Sequence, residues 1–318
     1  MSKFKIRHIT RYNYEDTVRE SANQIMLHPI NDNWQSVLQH SIGVTDNSLI
    51  NVHTDYFGNT VGTFTNAHPH RELIIDSRVV VETKSRVLPL DDKPVSEQWE
   101  EIGKLKNQIG IIDYTRQSRF HSFAEVEMVV DKERSKNCTP LQSAQNLCEY
   151  IYQTFEYKKG ITTVESTIEE IWKLKSGVCQ DFAHILSVML RQLNIPARYV
   201  SGYICPNKSG LRGEGATHAW VEAYVPFYGW LGLDPTNNCI VNESHVRLAV
   251  GKNFSDCSPV KGTYRGKSDH TLDVAVSVSY EDGQSFSDEM PIAPAASTVA
   301  LNDKNSFRRN QEMQMQQQ

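Results

Sequence analysis

The chain has 318 residues, of which 39% are hydrophobic and 22% are charged, and its formal net charge is −5 at pH 7. This length and composition predict a soluble globular protein with one large domain or two ordinary ones. The charge balance provides neither a basic stripe for nucleic acid nor a polybasic patch for a membrane surface, so we expect neither partner.

The N-terminal segment and the cysteines bear on the compartment of the protein. The opening stretch, MSKFKIRHITRYNYE, lacks the apolar core of a signal peptide, and no later run has the ~18 uninterrupted apolar residues of a membrane span. The six cysteines, at 138, 148, 179, 205, 239 and 257, form no CxxC pair, so neither a zinc site nor a disulfide framework is indicated. We therefore expect a cytoplasmic, reducing location and no metal or cofactor.

Residues 1–90 have the two-residue periodicity of half-buried antiparallel strands. Phe4, Ile6 and His8 fall on one face, and residues 73–81 alternate in the same way. Turn-forming clusters such as 68–69 separate these runs. The pattern predicts an N-terminal β-rich domain of the sandwich type.

Residues 91–138 are predicted to be a helical connecting segment. It begins within a stretch rich in proline and charge, LPLDDKP at 88–94, whose composition is typical of a connection between domains. The helical character begins at about Ser96.

Residues 139–290 are predicted to form an α+β core, in which helices pack on an antiparallel sheet. Thr139 is predicted to cap a helix that has Pro140 at its first position, and residues 166–169 are predicted to form the capping box of a second helix. A third helix is predicted from the 3.6-residue period of apolar residues at 182, 185, 186, 189, 190 and 193. Strand-like runs follow at 197–205, 217–225, 230–233 and 272–280. Residues 291–318 lose all periodicity and are predicted to be a disordered tail.

Cys179 is predicted to lie in the first turn of the third helix, directly after Gly177 and Val178. Exposed backbone N–H groups and the helix dipole favour an anion at such a position, and the thiolate is the nucleophilic form of cysteine. The same N–H groups can bind the oxyanion of a tetrahedral intermediate. Because a cysteine is also a good small core residue, the assignment depends on its partners.

His218 and Asp234 complete a candidate cysteine-nucleophile triad. His218 lies on a predicted strand after the glycine-rich segment 210–215, where it can take the thiol proton and later protonate the leaving amine. Asp234 ends a second strand about one hairpin downstream, so its carboxylate can fix the histidine tautomer. Taken singly, His218 fits a core histidine and Asp234 a turn residue. Their combination with Cys179 favours catalysis.

Three further residues are candidates for the oxyanion hole or for supporting roles. Trp220 is expected to shape the wall beside His218 or the core beneath it. Asp181, like His184 on the same helix, is either catalytic or part of the helix start and its hydrogen bonding. Glu222 is either a carboxylate that supports the site or a solvated position. None of them is assigned as the side-chain donor to the oxyanion.

The segments SGVCQDFAHILSVML, IPARYVSGY, THAWVEAYVP and GWLGLDPTNN, in this order, resemble the core of the bacterial transglutaminase-like superfamily. HVRLAVGKNFSDCSPVKG resembles the C-terminal part of that core, and IRHITRYNYEDTVRESANQIMLHP and DYFGN resemble the N-terminal β-domain that accompanies it in bacteria. The resemblance implies a papain-like catalytic fold and thiol-dependent chemistry at an amide carbonyl. It implies Cys179 as the nucleophile, His218 as the base and Asp234 as the orienting carboxylate.

Three functions follow as hypotheses. The first is a cysteine peptidase or amidase that hydrolyses a peptide, isopeptide or side-chain amide of a peptide or protein substrate through a Cys179 acyl-enzyme. The second is a transglutaminase-type enzyme that passes the same acyl group to an amine, a choice that depends on water exclusion. The third is a binding module in which the N-terminal domain acts and the core is vestigial, which the intact triad argues against. The sequence does not define the oligomeric state.

Overall fold

The computed structural model describes residues 1–134, 137–205, 212, 217–281 and 293–294. Its helices are α1 (Val95–Leu105), α2 (Phe123–Glu133), α3 (Pro140–Thr154), α4 (Ile168–Leu174), α5 (Cys179–Gln192) and α6 (Phe254–Cys257). Within these ranges, no helix has both the length and the apolar composition needed to cross a bilayer. Its strands, in chain order, are β1 (Ser2–Val18), β2 (Ser21–Ile25), β3 (Gln35–Val44), β4 (Asn51–Thr54), β5 (Thr60–Asn66), β6 (His70–Thr83), β7 (Glu156–Tyr157), β8 (Ser176–Gly177), β9 (Ala197–Ile204), β10 (Thr217–Val225), β11 (Gly229–Asp234), β12 (Cys239–Ile240), β13 (His245–Gly251), β14 (Val260–Tyr264), β15 (His270–Tyr280) and β16 (Ala293–Pro294).

Two antiparallel sheets form the N-terminal region and contribute to one core. Their strand orders are β16-β15-β1-β6-β3 and β14-β2-β5-β4. Phe4 and Ile6 from the first sheet and Ile25 and Phe64 from the second belong to a single cluster of buried apolar side chains. The alternation in β1 buries Phe4, Ile6 and His8, because successive side chains of a strand point to opposite faces. The strand-rich N-terminal region is confirmed.

The C-terminal part of the predicted core returns to these N-terminal sheets. β14 pairs with β2, and β15 pairs with β1 from Phe4↔Tyr280 to Tyr14↔His270. The predicted extent of the core, residues 139–290, therefore includes two strands that lie in the other sheets. Pairing of strands this distant in sequence covers the edges of β1 and β2, and local periodicity carries no signal for it. Of the predicted tail, 291–318, only Ala293–Pro294 is described, and it pairs with β15; the prediction for the other residues lies outside the described ranges.

The second part of the fold consists of helices α2 to α5 and a sheet with the strand order β12-β11-β10-β9-β13. The connecting segment 91–138 contains α1 and α2, and Val126 and Val130 of α2 lie in the same buried cluster as α3 and α5. The predicted apolar face of α5 is buried at all six positions, which confirms a helix packed on a sheet. The mixed α and β fold with antiparallel sheets is thus as predicted.

The helix caps show how closely local sequence fixes these elements. Thr139 caps α3, because its side chain accepts a hydrogen bond from the Gln142 N–H at 3.1 Å. The capping box predicted at 166–169 lies one residue later, at Thr167 and Glu170. Glu169 instead accepts hydrogen bonds from the backbone N–H and the hydroxyl of Ser122, at 2.8 and 2.9 Å, so a tertiary contact decided the register of the cap.

The opposite face of the second sheet packs on the N-terminal region. Tyr203 of β9 and Val246 of β13 belong to the N-terminal buried cluster. The Tyr203 hydroxyl is hydrogen-bonded to Nδ1 of His8 at 2.9 Å. The two regions consequently share one core, and the sheet is held between α5 on one face and the N-terminal strands on the other.

Candidate active site

Cys179 is the first residue of α5, and two hydrogen bonds to Asp181 hold the chain beside it. Asp181 Oδ2 accepts hydrogen bonds from the Val178 N–H at 2.8 Å and from the Thr162 hydroxyl at 2.7 Å. A side chain at Gly177 would collide with the Asp181 carboxyl group. Asp181 therefore ties the start of α5 to Val178 and Thr162, and the half-buried sulfur lies where free N–H groups favour an anion.

His218 and Asp234 lie on neighbouring strands whose pairing brings their side chains together. β10 and β11 are antiparallel with Val221 opposite Leu233, so His218 lies near the start of one strand and Asp234 at the end of the other. Nε2–H of His218 donates to Asp234 Oδ2 at 2.8 Å. Both side chains are fully buried.

The second ring nitrogen of His218, Nδ1, is buried and meets no partner in good hydrogen-bond geometry among the described residues. The Cys179 sulfur nevertheless lies close enough to interact electrostatically with this ring. Catalytic hydrogen bonds are often long or poorly aligned before substrate binds. Nδ1 is thus the nitrogen available to exchange a proton with the thiol.

The charges of the site favour a protonated His218. Burial alone lowers the pKa of His218, but Asp234 and then Cys179 raise it, with a net result of about 10. Burial opposes the charge of Asp234 as well, yet the interactions with His218 and with a second histidine, His245, hold the pKa of this carboxyl far below its usual value. At neutral pH the site therefore contains a carboxylate and an imidazolium beside the sulfur, an arrangement that stabilises a thiolate.

The residues predicted to support the triad have defined places. Asp181 caps α5, and burial raises its pKa. Trp220 is buried with its ring centroid 6.1 Å from that of His218, and its indole lies where Gly202 has no side chain. His184 accepts a hydrogen bond from the Phe254 N–H at 3.1 Å, a structural contact.

Glu222 is not solvated, so the prediction of a solvated position is wrong; the alternative, a carboxylate that supports the site, stays a prediction. It is fully buried and forms ion pairs with three guanidinium groups, those of Arg198 at 2.5 Å, Arg247 at 3.6 Å and Arg86 at 3.9 Å. The alternation of a strand predicts which face a side chain lies on, but not the partners that neighbouring strands supply.

The predicted glycine-rich loop 210–215 lies outside the described residues except for Arg212.

His245, on β13, is one residue at the site that the sequence analysis missed. Its Nε2 lies 3.3 Å from Asp234 Oδ2, and the side chain is fully buried. The ligand atoms of His218, Asp234 and His245 lie within 4.8 Å of one another, and among the described residues they are the one group with metal-ligand spacing. The hydrogen bonds from His218 and His245 to Asp234 explain why these three side chains lie close together. The only sequence signal was a histidine at the start of the segment HVRLAV.

Tyr157 is the second missed residue. β7 pairs in parallel with β8, so that Tyr157 lies opposite Gly177, two residues before Cys179. Its ring lies edge-on to Phe182, with centroids 6.2 Å apart. Burial, and then the neighbouring Cys179, raise the pKa of Tyr157 to about 12, so the phenol is neutral at physiological pH and can donate a hydrogen bond. A two-residue strand gives no periodic signal by which to find it.

A thiol at a helix start, with a buried histidine and carboxylate on the adjoining sheet, is the arrangement that a cysteine nucleophile requires. The family model of the transglutaminase-like superfamily matches residues 127–235, and that of the bacterial transglutaminase-like N-terminal region matches residues 4–82. The chain belongs to the transglutaminase-like superfamily and carries the N-terminal region found in its bacterial members.

Individual relatives agree with this assignment. An uncharacterised protein of Mycobacterium leprae is 31% identical over 88% of this chain and 99% of its own length. A protein-glutamine gamma-glutamyltransferase of Pseudomonas aeruginosa is 30% identical over 36% of this chain and 19% of its own length. A crystal structure from Cytophaga hutchinsonii, provisionally named a cysteine protease, has a TM-score of 0.71 at 21% identity and covers 92% of this chain and 93% of its own. That structure supports the fold.

We expect iodoacetamide at pH 7 to alkylate Cys179 at least about tenfold faster than any other thiol, because an imidazolium and a helix start stabilise its thiolate. Burial raises the pKa of four of the others, Cys148, Cys205, Cys239 and Cys257. Mass spectrometry of peptides after brief labelling measures the rates, with Cys179→Ala as the control. Equal labelling of a second cysteine would contradict an activated thiol.

Proposed function

We propose that this protein is a cysteine peptidase or amidase that hydrolyses a peptide, isopeptide or side-chain amide. The observation that carries the proposal is the buried hydrogen bond between His218 and Asp234 beside the sulfur of Cys179. Burying a charged pair away from water costs free energy. A catalytic role for His218 and Asp234 would explain why this pair is present.

The proposed reaction has two steps. The Cys179 sulfur attacks the amide carbonyl, and the C–N bond breaks as His218 transfers its proton to the leaving nitrogen. This forms a thioester and a free amine. Water, deprotonated by His218, then attacks the thioester, and the carboxylic acid leaves as the thiol is restored. Asp234 remains a carboxylate throughout and orients the ring.

The tetrahedral intermediate of each step needs donors for its oxyanion. The first free N–H groups of α5 supply one side of the hole. We assign the phenol O–H of Tyr157 to the other side, because it is neutral, adjoins Gly177 and interacts with Cys179. A peptide or protein is the substrate class that this amide chemistry fits.

Acyl transfer to an amine is the second candidate, and one relative favours it. The Pseudomonas aeruginosa glutamyltransferase matches 36% of this chain, and both reactions proceed through the same thioester. They differ only in whether water or an amine attacks it.

The proposal is tested by digesting a peptide library with the purified protein and with Cys179→Ala. We expect new peptide termini or deamidated side chains only with the wild-type chain. A glutamine peptide incubated with a primary amine separates the two candidates: free acid supports hydrolysis, whereas amide product without free acid supports transfer. Identical digests from both proteins would exclude the enzymatic proposal.

Asp234→Asn is expected to lower kcat by about 10³- to 10⁴-fold, because the ring loses its orienting carboxylate. Asp234 raises the pKa of His218, so His218 of the variant should lose its proton at a lower pH. The alkaline limb of the pH profile of kcat should therefore shift to lower pH. Asp131→Asn, at an exposed position of α2, is the control. An unchanged pH profile in Asp234→Asn would contradict the role of the carboxylate.

Tyr157→Phe is expected to lower kcat by about 100-fold, the usual loss for one oxyanion donor, because it removes the hydroxyl and keeps the ring against Phe182. The rate of Cys179 alkylation should remain within about twofold. Tyr150→Phe provides a matched control, since Tyr150 is also half-buried against the same core cluster. Full activity in Tyr157→Phe would exclude the phenol as a donor.

A further inference from the structure

Two histidines are hydrogen-bonded to the carboxylate of Asp234. His218 reaches Oδ2 from β10 at 2.8 Å, and His245 reaches the same oxygen from β13 at 3.3 Å. β13 lies at one edge of the sheet, beyond β9, whereas Asp234 lies on β11 beside the other edge. The chain between β12 and β13 therefore crosses from one edge to the other and delivers His245 to the triad.

The contact between His245 and Asp234 places a proton on Nε2 of His245. A carboxylate only accepts, so Nε2 of His245 carries a proton and donates it to Asp234. Nδ1 lies 3.4 Å from the Asn242 N–H, from which it can accept, and 3.3 Å from Oδ1 of the same residue, which is itself an acceptor. The neutral Nε2–H form satisfies Nδ1 through the N–H contact, whereas a bond to Oδ1 would require a proton on Nδ1 as well. The Trp220 ring meets the imidazole edge-on at a centroid distance of 5.3 Å and leaves little room for the ring to turn.

One carboxylate can balance one imidazolium, and the surroundings of the two rings differ. The groups that face His245 are Asp234 from β11, His218 and Trp220 from β10, and Asn242 from the preceding connection. Burial is the largest influence and lowers the pKa of His245, whereas the pKa of His218 is raised to about 10. His218 is therefore the charged partner and His245 the neutral one.

With His245 included, the carboxylate of Asp234 is held on every side. Oδ1 accepts from the N–H groups of Thr236 and Asn237, at 2.9 and 3.3 Å. Oδ2 accepts from His218, from His245 and from the Asn237 side-chain amide, the last at 2.7 Å. Among the described residues, His245 is the donor that reaches Oδ2 from β13.

We infer that His245 is a positioning residue of the active site, a neutral imidazole that donates to Asp234 and so fixes the carboxylate that orients His218. The inference rests on the proposed amide chemistry for its effect on turnover. Its effect on the charge and proton positions of the triad holds with or without a known substrate.

The test compares His245→Leu, which removes the donor, with His245→Gln, whose side-chain amide can replace it. We expect His245→Leu to lower kcat by about tenfold with KM unchanged, a usual loss when a group that orients a catalytic residue is removed. Without the hydrogen bond from His245, Asp234 should hold the proton of His218 more strongly. The alkaline limb of the pH profile of Cys179 alkylation should therefore shift to a pH about 0.5 unit higher. His245→Gln should stay within about threefold of the wild type in kcat.

Two results from the variants would overturn the inference: a His245→Leu profile that matches the wild type, or equal impairment of the Leu and Gln variants, which would mean that packing alone matters. Imidazole ¹⁵N NMR of the unmodified chain keeps the test independent of folding in the variants. It should show His245 as the neutral Nε2–H tautomer and His218 doubly protonated at pH 7, and a protonated or Nδ1–H His245 would contradict the inference. Neither alkylation nor NMR requires a substrate, so a failure of the proposed amide chemistry would be distinguishable from a failure of this inference.

Discussion

The hydrogen bond between His218 and Asp234 is the interaction on which the site depends. Both groups are buried, so each ion would be strongly disfavoured by itself. Together they satisfy each other, and the remaining lone pairs of the carboxylate are satisfied by backbone and side-chain donors that follow Asp234 in the chain. A half-satisfied network of this kind would be unstable, which explains why so many polar groups converge on one carboxylate.

The rigidity of this pair comes from the sheet that carries it. β10 lies between β9 and β11, α5 covers one face, and the N-terminal strands cover the other. Four residues along β10 from His218, Glu222 binds three guanidinium groups, and one of these, Arg247, also pairs with Asp32 of the N-terminal region. The N-terminal region thereby braces the strand that presents His218, a structural role that is compatible with a further role in substrate binding.

The sequence predicted the parts of this arrangement that depend on local spacing. The caps of α3, the apolar face of α5 and the alternation of β1 follow from intrinsic preferences and periodicity within about ten residues. The nomination of Cys179, His218 and Asp234 came from their positions at a helix start and on strands, and the structure brings the three side chains together. The roles of Asp181, His184 and Glu222 were left open, because the partner of a buried polar side chain is supplied by a distant segment.

What the sequence determined by itself is therefore the main helices and strands and the residue types of the candidate nucleophile, histidine and carboxylate, since residue type and periodicity are written locally. Only the tertiary structure decided that β14 and β15 belong to the N-terminal sheets, that Glu222 lies among arginines and that His245 and Tyr157 adjoin the triad. Each of these outcomes depends on strand pairing or packing between segments far apart in the chain, and such contacts are fixed by the burial and hydrogen bonding of the whole fold.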